Sequence, residues 1–155
     1  VDTPQHLYDL PCNMFVAGFI GSPQMNFINA TVQKSGSEYT LNFDKYKIPV
    51  PADKTANGKL DAYVGKEVVF GIRPEHVHDE PEELEKAKVT LEANVDVTEL
   101  MGAEIYLYVN IGGTPITARV EPTSTAQPGD KIKITFSLDK IHIFAASVST
   151  LAAFV

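Results

Sequence analysis

From Asn26 onward the chain alternates apolar and polar residues with a period of two, the signature of strands buried on one face. Ile28, Ala30 and Val32 alternate with polar neighbours, and Tyr39, Leu41 and Phe43 resume after Lys34-Ser35-Gly36-Ser37, which predicts a hairpin. Tyr46, Ile48 and Val50 form a short strand that Pro49 and Pro51 assign to a sheet edge. Val68, Phe70 and Ile72 lead to a break at Arg73-Pro74. Val89, Leu91, Ala93, Val95 and Val97 then face one way, with Thr90, Glu92, Asn94, Asp96 and Thr98 facing the other. After a turn at Met101-Gly102 the alternation continues in Ile105, Leu107, Val109 and Ile111, with Tyr106 and Tyr108 on the opposite face. Gly112-Gly113 is a two-residue hairpin signal. Further strands are predicted through Ile116, Ala118 and Val120, through Ile132 to Leu138, and through Ile141 and Ile143, with Pro128-Gly129-Asp130 as a turn. Strands at such spacing predict a small antiparallel barrel or sandwich.

The opening differs. Thr3 before Pro4 predicts a helix from Pro4 to Leu10 that Pro11 stops. Asn13 is placed to cap a second helix through Phe15 to Ile20, ended by Gly21 and Pro23. That helix is apolar nearly all round, so it expects to be covered. The division is therefore residues 1–24 as helices and junction, and residues 25–155 as a β domain. The chain opens Val1-Asp2-Thr3-Pro4, with neither an initiator Met nor a basic segment before an apolar run, so it reads as an excised fragment without a signal peptide.

Charge narrows the function classes. The net charge is −7 and the 13 Lys and Arg are scattered, which disfavours nucleic-acid binding and an electrostatic membrane anchor. No apolar run approaches the roughly 20 residues that span a bilayer. The one cysteine, Cys12, has no internal partner for a disulfide, in keeping with a reducing compartment.

Catalytic constellations are sparse. No G-x-x-x-x-G-K-S/T phosphate-binding loop and no G-x-S-x-G nucleophile elbow occurs. His76 and His78, with nearby carboxylates, are conceivable metal ligands, but metal sites normally draw on well-separated segments. The alternative is a solvated loop in which Glu80-Pro81-Glu82-Glu83 starts a short helix with Lys86 and Lys88 near its end. Arg73 and Glu75, two apart on an extended chain, share a face and suit a structural ion pair or a partner contact better than catalysis. Tyr106 and Tyr108 suit cross-strand packing or a subunit interface, since no basic neighbours favour base stacking.

Several segments together resemble a known family. The opening Thr3 to Pro11 and the stretch Phe15-Val16-Ala17-Gly18-Phe19-Ile20-Gly21-Ser22-Pro23-Gln24-Met25-Asn26 are similar to the end of the ATPase domain, and the junction beyond it, in ATP-binding-cassette proteins that energise carbohydrate importers of the maltose and multiple-sugar type. Gly71-Ile72-Arg73-Pro74-Glu75-His76, Val97-Thr98-Glu99-Leu100-Met101-Gly102-Ala103-Glu104 and the close at His142-Ile143-Phe144 resemble further signatures of that family, in the family's order. Ala145 stands where the family usually has Asp.

The resemblance implies a mainly β, oligonucleotide-binding-type (OB) barrel, preceded by the two short helices. It implies a regulatory and dimer-contact domain without catalysis of its own, with a small-ligand barrel for an oxyanion or a sugar as the alternative. Gly71, Arg73, Pro74, Glu75, Glu99 and Gly102 carry over as structural or contact residues, with no catalytic, metal or cofactor residue in this fragment. ATP and Mg are expected in the parent protein. Implied partners are a second ATPase subunit, the parent's own ATPase domain, permease subunits and a phosphotransferase-system regulator, with no nucleic acid. The implied location is cytoplasmic, on the inner face of the cell membrane through the transporter complex.

Overall fold

A computed structural model describes residues 25–55 and 58–145. The two predicted N-terminal helices and Cys12 lie outside the described residues. The strands are β1 (Asn26–Ser35), β2 (Glu38–Phe43), β3 (Tyr46–Pro49), β4 (Glu67–Ile72), β5 (Val77–His78), β6 (Leu91–Met101), β7 (Glu104–Ile111), β8 (Thr114–Val120), β9 (Lys131–Phe136) and β10 (His142–Ala145). Two short α-helices, α1 (Ala52–Thr55) and α2 (Pro81–Glu85), and three 3-10 turns lie between them. The expected mainly β architecture is what the chain adopts.

The strands form two five-stranded antiparallel sheets, in the orders β10-β4-β1-β2-β3 and β5-β9-β6-β7-β8. In the second sheet β5 also packs beside β8, so that sheet curls into a nearly closed barrel. β3 is an edge strand, in keeping with Pro49 at its end and Pro51 just beyond it.

One continuous core joins the sheets. Ile28, Ala30 and Val32 of β1 and Val68, Phe70 and Ile72 of β4 face Leu91, Ala93 and Val95 of β6 and Leu107 and Val109 of β7. Phe70 sits at its centre, in edge-to-face contact with Phe43 at 6.5 Å and Phe136 at 6.1 Å, one ring from each sheet. β4 is also buried on its other face: Met25, Val69 and Phe144 form a second small cluster with Phe27 against it. This accounts for the unbroken apolar run Val68-Val69-Phe70 in a strand flanked on both sides.

Three polar or turn contacts fix one sheet against the other. The buried Asn26 side chain donates to the Thr117 carbonyl and accepts from the Thr117 N–H, both at 2.8 Å. The Glu92 N–H donates to the Tyr46 hydroxyl at 2.9 Å. The β7–β8 turn at Gly112 approaches Asp44 in the β2–β3 turn so closely that an added Cβ would lie 2.7 Å from Asp44 Oδ1.

Two sequence expectations change. Val97 is not in phase with Val95. Beyond Val95 the β6–β7 pairing skips Asp96, and Val97 pairs with Tyr108 on the outer face. The physical cause is a β-bulge, adjoining a clamp in which Val95 accepts from the Gly129 N–H and donates to the Asp130 carbonyl, each at 2.8 Å. Leu138 likewise leaves the strand pattern and begins a 3-10 turn, Leu138–Lys140.

Candidate functional site

The segment from β4 into β5 is built by steric rules. Arg73 precedes a proline and is extended, at φ −77 and ψ 150. Pro74 then opens a 3-10 turn, Pro74–His76, and is itself buried. The His76 N–H donates to the Arg73 carbonyl, and the His76 carbonyl accepts from the Ser137 N–H, each at 2.9 Å. Gly71, one turn earlier, leaves room for the second cluster: a Cβ there would lie 2.5 Å from Met25 Sδ and 3.3 Å from Phe144 Cε2.

This turn overturns the argument that Arg73 and Glu75 share a face. Residues 74–76 are not extended, and no ion pair joins the two among the described residues. Glu75 instead lines a groove of about 370 Å³, together with His78, Glu80, Glu104, Arg119 and Glu121, and Arg73 does not line it.

The histidines serve the same local structure. The His78 Nε2 lies 2.7 Å from Ser137 Oγ, and its Nδ1 lies 3.3 Å from Glu80 Oε2, an oxygen that is buried without a hydrogen-bond partner. Burial lowers the His76 pKa below its ordinary value. Burial raises that of Glu80, which stands at the N-cap position of α2 without a side-chain capping bond; its own backbone N–H and His78 oppose the shift, while Asp79 and Glu121 reinforce it. As the sequence predicts, α2 starts at Pro81 with Glu82 and Glu83 in its first turn.

The second candidate region is the β6–β7 hairpin. Gly102 forms its turn in the left-handed region, at φ 63. Glu99 accepts from the Tyr108 hydroxyl at 3.1 Å. Desolvation first, and the Glu99 carboxylate second, hold the Tyr108 phenol above its usual pKa. Arg119 of β8 pairs with Glu104 of β7 at 2.9 Å. Thus Glu99 and Gly102 lie on the exposed β6–β7 hairpin, whereas Gly71 and Pro74 are buried and Glu75 lines the groove with Glu104 and Arg119.

Sequence reasoning did not single out Asn26, Arg119 or Glu104. Asn26 has a signal in retrospect, as a lone amide at an inward-facing position of β1. The other two look like ordinary solvated charges until the strand register sets Arg119 opposite Tyr106, two residues along β7 from Glu104 and within reach of its carboxylate.

A cleft of about 1020 Å³ opens between the β2–β3 hairpin and α2 with the end of β9. Val50 and Phe136 form part of its floor, and Glu38, Lys86, Lys88 and Asp139 line it. Among the described residues, no group of three or more His, Cys, Asp or Glu is arranged to hold a metal ion. Nor is any described helix long and apolar enough to cross a membrane.

Comparison with known proteins agrees with this architecture. Residues 21–77 match the MalK OB fold domain, and residues 70–144 match the TOBE domain. The oligosaccharides import ATP-binding protein MsmX of Bacillus subtilis is 37% identical over 145 residues, covering 93% of this chain and 39% of that protein. The multiple sugar-binding transport ATP-binding protein MsmK of Streptococcus mutans is 40% identical over 147 residues, covering 94% of this chain and 38% of that protein. The chain therefore spans about two fifths of the length of the curated relatives it matches. The fold is also that of the cytoplasmic molybdate-binding protein ModG in a molybdate-bound crystal form, with a TM-score of 0.57 and 17% identity over 78% of this chain and 96% of that one.

Proposed function

From the premise that the chain belongs to the MalK OB fold and TOBE domain families, we propose that it is the regulatory and dimer-contact portion of an ATP-hydrolysing subunit of a sugar importer. The observation that carries this reading is the joint span of the two domain matches, residues 21–144, with relatives that import oligosaccharides or multiple sugars. The 155 residues hold no phosphate-binding loop, so ATP and Mg are assigned to the rest of the parent protein. In such a parent the chain works in the cytoplasm beside membrane permease subunits. A phosphotransferase-system regulator is a candidate partner, and the domain acts by favouring the open or the closed ATPase dimer. A partner shifts that balance only by its difference in affinity for the two states.

A second reading, a small-ligand barrel, is favoured by the 1020 Å³ cleft, which lies where two sheets meet. Titration calorimetry of the chain with molybdate, sulfate, maltotriose and glucose 6-phosphate separates the two. The interaction reading expects no saturable heat from any of them. Saturable micromolar binding of one of them, abolished by substitutions in the cleft, overturns it in favour of the ligand barrel.

A further inference from the structure

Ser137, His78 and Glu80 stand in a row that the dimer-contact reading does not use. Ser137 Oγ lies 2.7 Å from His78 Nε2, and Glu80 Oε2 lies 3.3 Å from His78 Nδ1. The fold brings the three together from two places. His78 ends β5 and pairs with Thr135 of β9, so Ser137, the first residue past β9, comes beside it. The Ser137 N–H donates to the His76 carbonyl at 2.9 Å and fixes that end of β9 against the turn before β5. Glu80 follows two residues after His78, at the N-cap position of α2. Its side chain is 14% exposed, and Oε2 makes no hydrogen bond among the described residues, so the His78 ring is the polar group this oxygen faces.

A carboxylate beside Nδ1 favours the ring tautomer that carries its proton there. That leaves the Nε2 lone pair to accept from the Ser137 hydroxyl, at a separation suited to proton transfer. The Nδ1–Oε2 contact is an ion-pair distance that shortens when the ring takes up a proton. His78 and Glu80 line the groove with Glu75, whereas Ser137 borders the cleft of about 1020 Å³. The serine is thus the member of the row that meets ligand-sized space. Tyr39, Val50, Phe136 and Leu138 give that cleft apolar wall, and its acids Glu38, Glu83 and Asp139 nearly balance Lys86 and Lys88. Such a lining suits an uncharged molecule with a short apolar group.

We propose that Ser137 is a nucleophile that takes the acyl group of small uncharged carboxylic esters, with His78 as its base and Glu80 positioning the ring. Ser137 Oγ bonds to the ester carbonyl carbon, and its proton passes to His78 Nε2. The bond from that carbon to the alcohol oxygen breaks, and His78 hands the proton to the departing alkoxide. Water then attacks the acyl carbon and gives a proton to His78, and the acid leaves as Ser137 Oγ recovers that proton. Ester and water become acid and alcohol. The Ser137 N–H is committed to His76 and is no oxyanion donor. The acceleration expected is therefore that of the base alone, about a hundred- to ten-thousand-fold, and turnover is slow. The site does not depend on the dimer-contact reading.

Two measurements on the 155-residue chain test this: labelling by an alkyl fluorophosphonate, whose phosphorus bonds to an activated serine with loss of fluoride, and hydrolysis of p-nitrophenyl acetate. Mass mapping of peptides locates the label, and circular dichroism checks the fold of Ser137→Ala, His78→Asn and Glu80→Gln. The label is expected on Ser137, with nitrophenol release above that of Ser137→Ala. His78→Asn is expected to slow labelling about tenfold or more, and Glu80→Gln several-fold. Glu80→Gln removes a charge that burial opposes, so slower labelling there is not a loss of fold. A wild-type chain left unlabelled at Ser137 overturns the proposal, as does labelling of Ser137 at the same rate in His78→Asn and Glu80→Gln.

Discussion

The side-chain amide of Asn26 pairs with the backbone of Thr117 as a neighbouring strand would, giving and receiving one hydrogen bond, each at 2.8 Å. The two residues are 91 positions apart and belong to different sheets. Asn26 is only 9% exposed, so neither group has ready access to replacement water. Asn26→Ala leaves a donor and an acceptor of Thr117 unpaired, at a cost of about 1–3 kcal/mol. Asn26→Asp keeps an acceptor for the Thr117 N–H but sets a carboxylate against the Thr117 carbonyl, and is expected to be the worse of the two. Urea denaturation of both variants checks the order.

Phe70 is completely buried and touches an aromatic ring from each sheet. Phe70→Ala is expected to cost about 3–5 kcal/mol, because a cavity at the seam of two sheets collapses poorly. Phe70→Leu should cost clearly less. Thermal unfolding of the pair gives the comparison.

Gly71→Ala tests close packing on the far face of β4. The added methyl meets Met25 Sδ at 2.5 Å and Phe144 Cε2 at 3.3 Å. The Met25 side chain is flexible, so the expected cost is about 1–3 kcal/mol, the range for overpacking. In a double-mutant cycle Met25→Ala should recover part of it. Purely additive costs would contradict the contact.

Glu80 gives a pH signature. Its carboxyl is harder to ionise in the folded chain than in the unfolded one, whose ordinary value is 4.5. A raised pKa means the folded state holds the proton more tightly. The stabilisation is therefore fully present below the unfolded value and is lost as pH rises through the folded one. Glu80→Gln should accordingly raise stability relative to wild type at neutral pH, with the gain shrinking toward pH 4. Chemical denaturation of both proteins across that range reads the difference.

Much of this was legible in the alternation of residues. The β1–β2 hairpin, the edge position of β3 and the β7–β8 turn follow from period, proline and glycine. The phase of Val97 was not, because a valine in either phase reads as alternation and only the pairing of β6 with β7 reveals the bulge. β5 has two residues, Val77–His78, too few to show any period. For Arg73 and Glu75, same-face geometry requires an extended backbone, whereas Pro74 starts a 3-10 turn. Glu99 and Gly102 were visible as a motif, but the bond from the Tyr108 hydroxyl to Glu99 depends on which strands pair.

The proposed function is service to an importer ATPase through contacts. Its most direct test replaces the matched portion of the Bacillus subtilis oligosaccharide-import ATP-binding protein with this chain and measures ATP hydrolysis in the assembled transporter. The expected result is hydrolysis above that of the same protein with the portion deleted. A chimera indistinguishable from the deletion would contradict it.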